Sequence, residues 1–242
     1  MDVADLREFY GSRLGGGARR MIAHRIRERF GNLDGMSVLG LGFTPPYLDL
    51  PAETGRVLHF MMAQRGVMHW PPGNPNAASL IDECDLPLLE STVDFALVIH
   101  GLELSDHPIE MLGEIWRVLS PQGRLLVVAP NRRGMWARSD RTPFGYGQPY
   151  SRSQLQQILK DTRFSPTYWS QALFMPPLER SLVLKSAPAW ERFGLWTSAP
   201  FSGVIIAEAV KQVYAISSGK RARRMLPRLQ PAPALARFHR PL

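Results

Sequence analysis

The hydrophobic and polar positions along the chain alternate between two patterns, one typical of helices and one typical of strands. Within residues 17–30, apolar side chains recur at i, i+4 and i+8 from Ile22, which predicts an amphipathic helix. Residues 3–13 are also predicted to be helical. Ser37 to Leu41 is instead a short continuous apolar run between turn residues, which is typical of a buried parallel strand.

Strand-like and helix-like segments continue to alternate after this first strand. Six further strands are predicted at 56–62, 79–82, 95–100, 124–129, 164–174 and 204–214. Helices are predicted between them at 105–120, 151–161 and 178–196. This alternation predicts an α/β fold with a mostly parallel sheet, helices on both faces and an antiparallel last strand. We expect one domain over residues 1–216, in which residues 1–32 form an N-terminal helical segment.

The composition is that of a globular protein and excludes several classes. Of the 242 residues, 45% are hydrophobic and 21% are charged. No apolar run approaches the roughly 20 residues of a membrane helix, and no secretory signal precedes the helices, so we predict a cytoplasmic protein without a membrane partner. The single cysteine, Cys84, excludes an internal disulfide, and the histidines lack metal-ligand spacing, so no metal is predicted.

The positive charge is concentrated at the end of the chain. Residues 217–242 hold seven Lys and Arg and no acid, so a net charge of +8 leaves about +1 for the preceding residues. Four prolines in the same segment prevent a continuous helix. The pattern predicts a basic, Pro-rich, disordered tail. It is either a solubilising extension or an arm that contacts a polyanion such as RNA, whose affinity would fall with salt.

Small and polar residues collect where the predicted strands end, which is where open α/β sheets bind ligands. Gly40 and Gly42 end the first strand and have no Cβ to block a nucleotide, although packing of the strand against a helix also explains them. His100 and Glu103 follow the fourth strand. The irregular segment 131–150 follows the fifth, and loops of this length are usually functional.

The most specific pattern is IDECDLPLLESTVDFALVIHGLELSDHPIEMLGEIWRVLSPQGRLLVVAPN, residues 81–131. An acid at Asp82 precedes Leu86-Pro87, then Asp94 at the fourth strand, then a helix that ends in RVLSPQG. This spacing resembles the class I S-adenosylmethionine-dependent methyltransferases of the type 11 group, over roughly residues 33–215. The resemblance implies a Rossmann-like class I methyltransferase fold with a seven-stranded sheet, and S-adenosylmethionine as the cofactor.

The resemblance also implies which residues meet the cofactor and the substrate. The adenine would contact Asp82 and Glu83, and Trp70 or Tyr146 could cover the cofactor. The implied cofactor-binding residues are Gly40, Gly42, Phe43, Thr44, Met61, Asp82, Glu83 and His100. The candidate substrate-binding residues are Glu103, Arg132, Arg133 and Tyr146. His100 is the candidate catalytic base, because histidine titrates near neutral pH, or it is a packed histidine at a strand end.

Two departures from the family pattern bear on the cofactor. The first motif reads VLGLGFTPP, so Gly40 replaces an acid, and Thr44 and Pro46 replace two loop glycines. The second strand ends at Met61 and Met62 instead of an acid that would bind the ribose hydroxyls. Losing a hydrogen bond to a charged group costs about 1.5–3 kcal/mol, which predicts cofactor binding weakened by about one to two orders of magnitude.

The acceptor is less defined by the sequence. VIHGLE follows the fourth strand where amino-methylating DNA and protein-glutamine enzymes of this fold carry Asn-Pro-Pro-Tyr. Arg132 and Arg133 with Trp136 could hold an anionic substrate and stack on a base, or the arginines could form surface ion pairs. We therefore expect S-adenosylmethionine-dependent methyl transfer to a small-molecule or RNA acceptor. The alternative is a catalytically degenerate homologue that acts as an RNA- or protein-binding adaptor.

Overall fold

The computed structural model describes residues 1–50, 53–71, 75–197 and 201–213, and the predicted tail lies outside them. Its seven strands form one sheet in the order β3-β2-β1-β4-β5-β7-β6. The strands are Ser37–Gly42 (β1), Arg56–Met62 (β2), Ala78–Ile81 (β3), Val93–Ile99 (β4), Leu119–Pro130 (β5), Phe164–Ala172 (β6) and Val204–Lys211 (β7). Strands β1 to β5 pair in parallel, and β7 is antiparallel to both β5 and β6. The predicted mostly parallel sheet with an antiparallel last strand is confirmed.

Helices flank the sheet and begin at capping residues that the sequence supplies. The helices are Val3–Gly11 (α1), Arg13–Phe30 (α2), Pro108–Val118 (α3), Arg152–Asp161 (α4), Ser181–Lys185 (α5) and Ala187–Thr197 (α6). Asp2 and Asp5 form a capping box on α1, and Ser151 does so on α4 with Gln154. The Ser12 hydroxyl accepts from Gly15 N and starts α2 directly after α1. Short 3₁₀ turns lie at Ala63–Arg65, Trp136–Arg138 and Pro143–Gly145.

The hydrophobic core has two layers, one on each face of the sheet. The predicted stripe of α2 is buried, and Ile22 packs in the same layer as Phe95 and Leu97 of β4. Val98 of β4 points to the opposite layer, where it joins Ile115 of α3. Because β4 is buried on both faces, its sequence is continuously apolar, as expected of a central parallel strand.

Several element boundaries differ from the sequence prediction by a few residues, and two differences change the arrangement of the elements. Strand β5 begins at Leu119, immediately after α3, whereas a helix stop was expected at residues 121–123. The register jumps from Val93 opposite Leu119 to Phe95 opposite Arg124, so residues 120–123 form a bulge in β5. The single helix predicted over 178–196 is two helices, α5 and α6, that are separated by Ser186.

A buried acid fixes the N-terminal helices over the sheet. Glu208 of β7 is 3% exposed and pairs with Arg29 of α2 at 2.6 Å and with Arg124 of β5 at 3.3 Å. Arg124 also donates to the carbonyls of Arg29 and Phe30 at the end of α2. Breaking such a buried pair leaves an uncompensated charge, so the arrangement is strongly held. It anchors the C-terminal end of α2 beside Arg124, where β5 pairs with the start of β4.

The described part of the chain has neither a membrane-spanning helix nor a metal-binding cluster. None of its helices combines the length and apolarity that crossing a bilayer requires. No cluster of three or more His, Cys, Asp or Glu side chains in these residues is arranged to hold a metal ion.

Candidate functional site

The ends of β1 and β4 meet closely, and glycine makes the contact possible. Phe43 N donates to Ile99 O at 2.8 Å. Gly42 has φ +92°, and a Cβ at this position would collide with Ile99 O and crowd Gly101 N. His100 has φ +50°, which is uncommon for a non-glycine residue. Such backbone conformations cluster at functional sites, so the junction of β1 and β4 is a candidate functional site.

A buried hydrogen-bond network crosses this junction. The Tyr10 hydroxyl of α1 lies 2.7 Å from His100 Nε2, and His100 Nδ1 lies 3.0 Å from Glu103 Oε1. The side chains of His100 and Glu103 are each 1% exposed. A carboxylate only accepts, so Nδ1 carries the proton that it donates to Glu103, and Nε2 accepts from Tyr10. A hydroxyl, an imidazole and a carboxylate are thus hydrogen-bonded in series. In enzymes, this arrangement allows the imidazole to act as a general base that activates a hydroxyl, while the carboxylate orients the imidazole.

One atom of this network is not satisfied by the part of the chain that the structure describes. Glu103 Oε2 is buried and has no hydrogen-bond partner among the described residues. Burial raises the pKa of Tyr10 well above its ordinary value, so its hydroxyl stays protonated and donates. Buried carboxylate oxygens without a donor are rare in folded proteins. The free oxygen therefore suits a donor that a ligand would bring.

Aromatic side chains enclose the network. Tyr10 stacks on Phe43 with ring centroids 5.4 Å apart and an interplanar angle of 9°. Tyr47 meets Tyr10 edge-on at 6.0 Å, and Phe144 lies 5.0 Å from the His100 ring. Thr44, in the same turn as Phe43, is fully buried. The Tyr10 ring of α1 therefore fills the space between Phe43, Tyr47 and His100.

The last two residues of β2, Met61 and Met62, offer no acidic acceptor for a ribose. Met61 is 1% exposed, and its sulfur accepts weakly from Met68 N at 3.4 Å. The neighbouring inward residue of β2 is His59, whose Nδ1 lies 3.5 Å from the Thr44 hydroxyl and whose ring contacts Trp70. Burial lowers the pKa of His59 to about 4.

The lowered pKa of His59 predicts a loss of stability in mild acid. Below its ordinary value of about 6.5 the unfolded chain takes up a proton that the folded chain refuses until about pH 4, so stability falls as pH falls through this window. Between about pH 7.5 and pH 5, the free energy of unfolding of the parent should fall by about 2 kcal/mol because of His59. His59→Leu should not show this part of the decrease. Urea unfolding of both proteins at the two pH values measures the difference. Equal pH dependence of parent and variant would contradict the prediction.

The end of β3 borders an open cavity. Asp82 is exposed, and its carboxylate accepts from Cys84 N at 2.8 Å, which holds the local turn. Glu83 is 3% exposed and lies 3.5 Å from the Ser105 hydroxyl. Both acids line a cavity of about 440 Å³ together with His107, at the start of α3, and Glu110, in its first turn. The structure thus brings Asp82 and Glu83 together beside a space, while the other implied cofactor residues are buried.

The candidate substrate residues are spread over a wider region. Arg132 and Arg133 are exposed after β5, and Tyr146 is 43% exposed beside a cavity of about 330 Å³. The suggestion that Trp136 stacks on a base is wrong, because Trp136 is fully buried and its Nε1 donates to Met175 O at 2.7 Å. Tyr10 was missed by the sequence analysis: it is 90 positions from His100 and carries no motif.

The sheet order and the antiparallel β7 define a class I methyltransferase fold. A SAM-dependent methyltransferase from Thermotoga maritima, described as a "possible histamine N-methyltransferase", has a TM-score of 0.59 and 16% identity, covering 87% of this chain and 96% of its own. A Haloferax volcanii chain from a complex with the Trm112 methyltransferase activator has a TM-score of 0.57 and 16% identity, covering 87% and 99%. The cyclase SpnF has a TM-score of 0.54 and 21% identity, covering 81% of each chain, so the fold alone does not define the reaction.

The family comparison is more specific than the fold. Residues 71–127 match the family model described as "Methyltransferase domain" of the type 11 group. A search of curated proteins gives no significant match. The match and the fold confirm the resemblance to class I S-adenosylmethionine-dependent methyltransferases, support methyl transfer, and imply S-adenosylmethionine as the cofactor.

The residues at the strand ends can be tested against that cofactor. Glu103 Oε2 is buried and has no donor among the described residues. The ammonium group of the cofactor could supply a charged donor to this oxygen. Its ribose finds no acceptor at Met61. The space beside Gly40 is taken by Thr44, and that beside Gly42 by the backbone after β4. As arranged here, the residues at the ends of β1 and β2 do not fit the whole cofactor.

Proposed function

We propose that the protein transfers a methyl group from S-adenosylmethionine to a small-molecule acceptor, and that α1 moves away from the strand ends to admit the ligands. The observation that carries this proposal is the buried Tyr10–His100–Glu103 network with its unpartnered carboxylate oxygen. The cofactor supplies an electrophilic methyl group, whose transfer needs in-line positioning and a deprotonated acceptor. The reaction is proposed to take place in the cytoplasm.

The chain's own residues would provide the proton acceptor. His100 Nε2 now accepts from Tyr10, so the Tyr10 hydroxyl occupies the position that an acceptor O–H or N–H would take. When α1 leaves, Nε2 becomes free, and Glu103 still holds Nδ1 in the correct tautomer. Asp82 and Glu83 would bind the adenine from the cavity at the end of β3. Pro45 and Pro46 lack amide hydrogens, so the β1 turn contributes few donors.

The charges beside the network favour a small molecule over RNA. The cavity next to Tyr146 is formed by α1 and residues 140–146 and has a volume of about 330 Å³, within the range of small-ligand sites. Its charged lining residues are Asp5, Glu8, Asp140, Arg141 and Glu179. Excess negative charge there would repel a polyanion and accept a neutral or cationic substrate. Arg132 and Arg133 do not line this cavity, so they would contact a carboxylate or phosphate group only if the acceptor carried one that extends outside it.

Isothermal titration with S-adenosylmethionine tests the proposal through Tyr10. If α1 competes with the cofactor, Tyr10→Ala removes a ring stack and a hydrogen bond from the closed state, together worth about 1–2 kcal/mol, and should tighten binding by about tenfold. Tyr10→Phe keeps the ring and should give a smaller gain. Trp169→Ala on β6, whose ring packs against the opposite core layer, is the control and should leave the affinity unchanged. The titration extends to about millimolar cofactor, which covers the weakest affinity of interest. If neither the parent nor Tyr10→Ala gave binding heat in this range, the proposal that the protein is a methyltransferase would be rejected.

A degenerate adaptor is the second candidate, and a specific observation favours it. The space beside Gly40 is filled by the chain's own Thr44 and Leu48, and Met61 is buried where a ribose acceptor is needed. The adaptor would hold RNA or a partner protein through residues 131–150 and the basic tail 217–242. It predicts no cofactor heat in any Tyr10 variant, together with salt-sensitive RNA retention.

A further inference from the structure

A second surface, unrelated to the strand ends, is formed by the two helices between β6 and β7. Trp190, Phe193 and Trp196 of α6 are 40%, 60% and 83% exposed and are spaced at i, i+3 and i+6. Residues with this spacing share one helix face. The rings of Phe193 and Trp196 lie 6.4 Å apart. Large aromatic side chains are seldom left in water in such a group, so this face marks an interaction site.

The opposite face of α6 explains why these aromatics point outward. Ala187 is buried in the core layer that contains α2. The Glu191 carboxylate accepts from Phe174 N at 2.7 Å, and Gly194 lies against the Phe174 ring so closely that a Cβ would collide with it. These contacts fix the rotation of the helix. The aromatic face is therefore presented to solvent by the packing of α6.

Two further apolar side chains are exposed near these helices. Leu178, before α5, is 46% exposed, and Phe201, after α6, is 57% exposed. With the three aromatics of α6, the described residues between β6 and β7 thus include five exposed large apolar side chains. We call these five side chains the aromatic face.

A cationic cavity lies beside the aromatic face. It has a volume of about 480 Å³ between α2 and α5–α6, and its walls include the apolar Met21 and Leu184. Arg25 is one of its cations and is already paired with Glu28 at 3.0 Å. The remaining charged lining residues are Arg20, Lys185, Glu191 and Arg192. The balance is positive, and the single acid is engaged by the backbone of Phe174.

We infer that the aromatic face docks on the surface of an anionic phospholipid bilayer, with a lipid headgroup phosphate at the cationic cavity. Trp and Phe side chains beside Lys and Arg match the two regions that a bilayer surface offers, an apolar boundary below a layer of phosphates. RNA would engage the cations but gives no apolar layer for five side chains. Each Lys or Arg near an anionic surface adds electrostatic attraction.

This inference replaces the sequence prediction of no membrane partner with a peripheral contact. A helix that lies on a bilayer needs one apolar face and flanking cations, not the length of a spanning segment. It does not depend on methyl transfer, because the aromatic face and the strand ends share none of the residues argued above.

Vesicle sedimentation of the full chain tests the inference. We expect co-sedimentation with phosphatidylcholine vesicles that contain about 30% phosphatidylglycerol, and little with pure phosphatidylcholine, at about 0.15 M salt. Replacing Trp190, Phe193 and Trp196 together by Ser should reduce the apparent affinity at least about tenfold. Replacing Arg20, Lys185 and Arg192 together by Gln should reduce the preference for the anionic lipid relative to that of the parent. Every variant keeps the basic tail, so the contribution of the tail is constant.

A matched control removes apolar side chains elsewhere. Leu80, Leu89 and Ile109 are 48%, 79% and 57% exposed, and their combined replacement by Ser should leave vesicle binding unchanged. Equal binding by the parent and the aromatic triple variant would overturn the inference, as would failure of the parent to bind. A dimer seen by light scattering without vesicles, and lost in the aromatic triple variant, would assign the face to a second copy of the chain instead.

Discussion

Replacing Trp136 by alanine is expected to lower the free energy of unfolding by about 4–5 kcal/mol, the upper range for a buried Trp. The indole is fully buried, packs edge-on against Phe144 at 5.4 Å, and lies against Gly203. Its Nε1 donates to Met175 O at 2.7 Å, so the variant leaves both a cavity and a buried carbonyl without its donor. Urea unfolding followed by circular dichroism measures the change.

Two further variants separate the causes of this loss. Trp136→Phe keeps most of the volume and loses the hydrogen bond, so it should cost about 1–2 kcal/mol. Trp190→Ala removes a partly exposed indole and should stay within about 0.5 kcal/mol of the parent. If Trp136→Ala unfolded like the parent and lost binding to an anionic acceptor, the original stacking hypothesis would be correct and the core assignment wrong.

The sheet could be predicted because its strands carry local signals. The strand predicted at 56–62 matches β2 in full, and the antiparallel pairing of the last strand with the sixth is also observed. Both depend on continuous apolar runs between turn residues, which a single sequence displays directly. The start of β5 at Leu119 could not be predicted, because PQG reads locally as a helix stop, and only pairing with β4 converts these residues into a bulge.

The candidate site was predicted only for residues that follow strands. His100 and Glu103 were found because parallel strands end at one edge, where ligands bind. Their contact with Tyr10 depends on how α2 is anchored through Arg29 and Glu208, an interaction that spans 179 positions of the chain. No periodicity within α1 distinguishes Tyr10 from the other residues of its buried stripe, so the closing of the site by an aromatic ring could come only from tertiary structure.

The two glycines of the first strand, Gly40 and Gly42, also could not be assigned a role from the sequence alone. A GxG after a buried run fits a nucleotide site and a packing contact equally well. In the structure the missing Cβ of Gly40 makes room for Thr44 and Leu48, and that of Gly42 makes room for the backbone of Ile99. Both glycines are needed for the way in which the chain packs on itself, whether or not a ligand approaches.

Replacing Gly42 by alanine should therefore destabilise the fold by about 3–4 kcal/mol. Its φ of +92° costs an L-residue about 1–2 kcal/mol, and the new Cβ meets the carbonyl of Ile99, a rigid backbone atom that can move only with β4. The junction that holds His100 would shift with it. Chemical unfolding of the variant measures the loss.

Gly113→Ala on α3 is the matched control for this change. A Cβ there meets nothing within 4 Å, and the position is exposed within a helix, so the variant should be more stable than the parent by about 0.5–1 kcal/mol. Opposite signs for the same chemical change would show that the cost at Gly42 comes from backbone conformation and close approach. A Gly42→Ala protein as stable as the parent would mean that β1 and β4 separate freely at their ends, and the Tyr10–His100–Glu103 network could then open without moving α1.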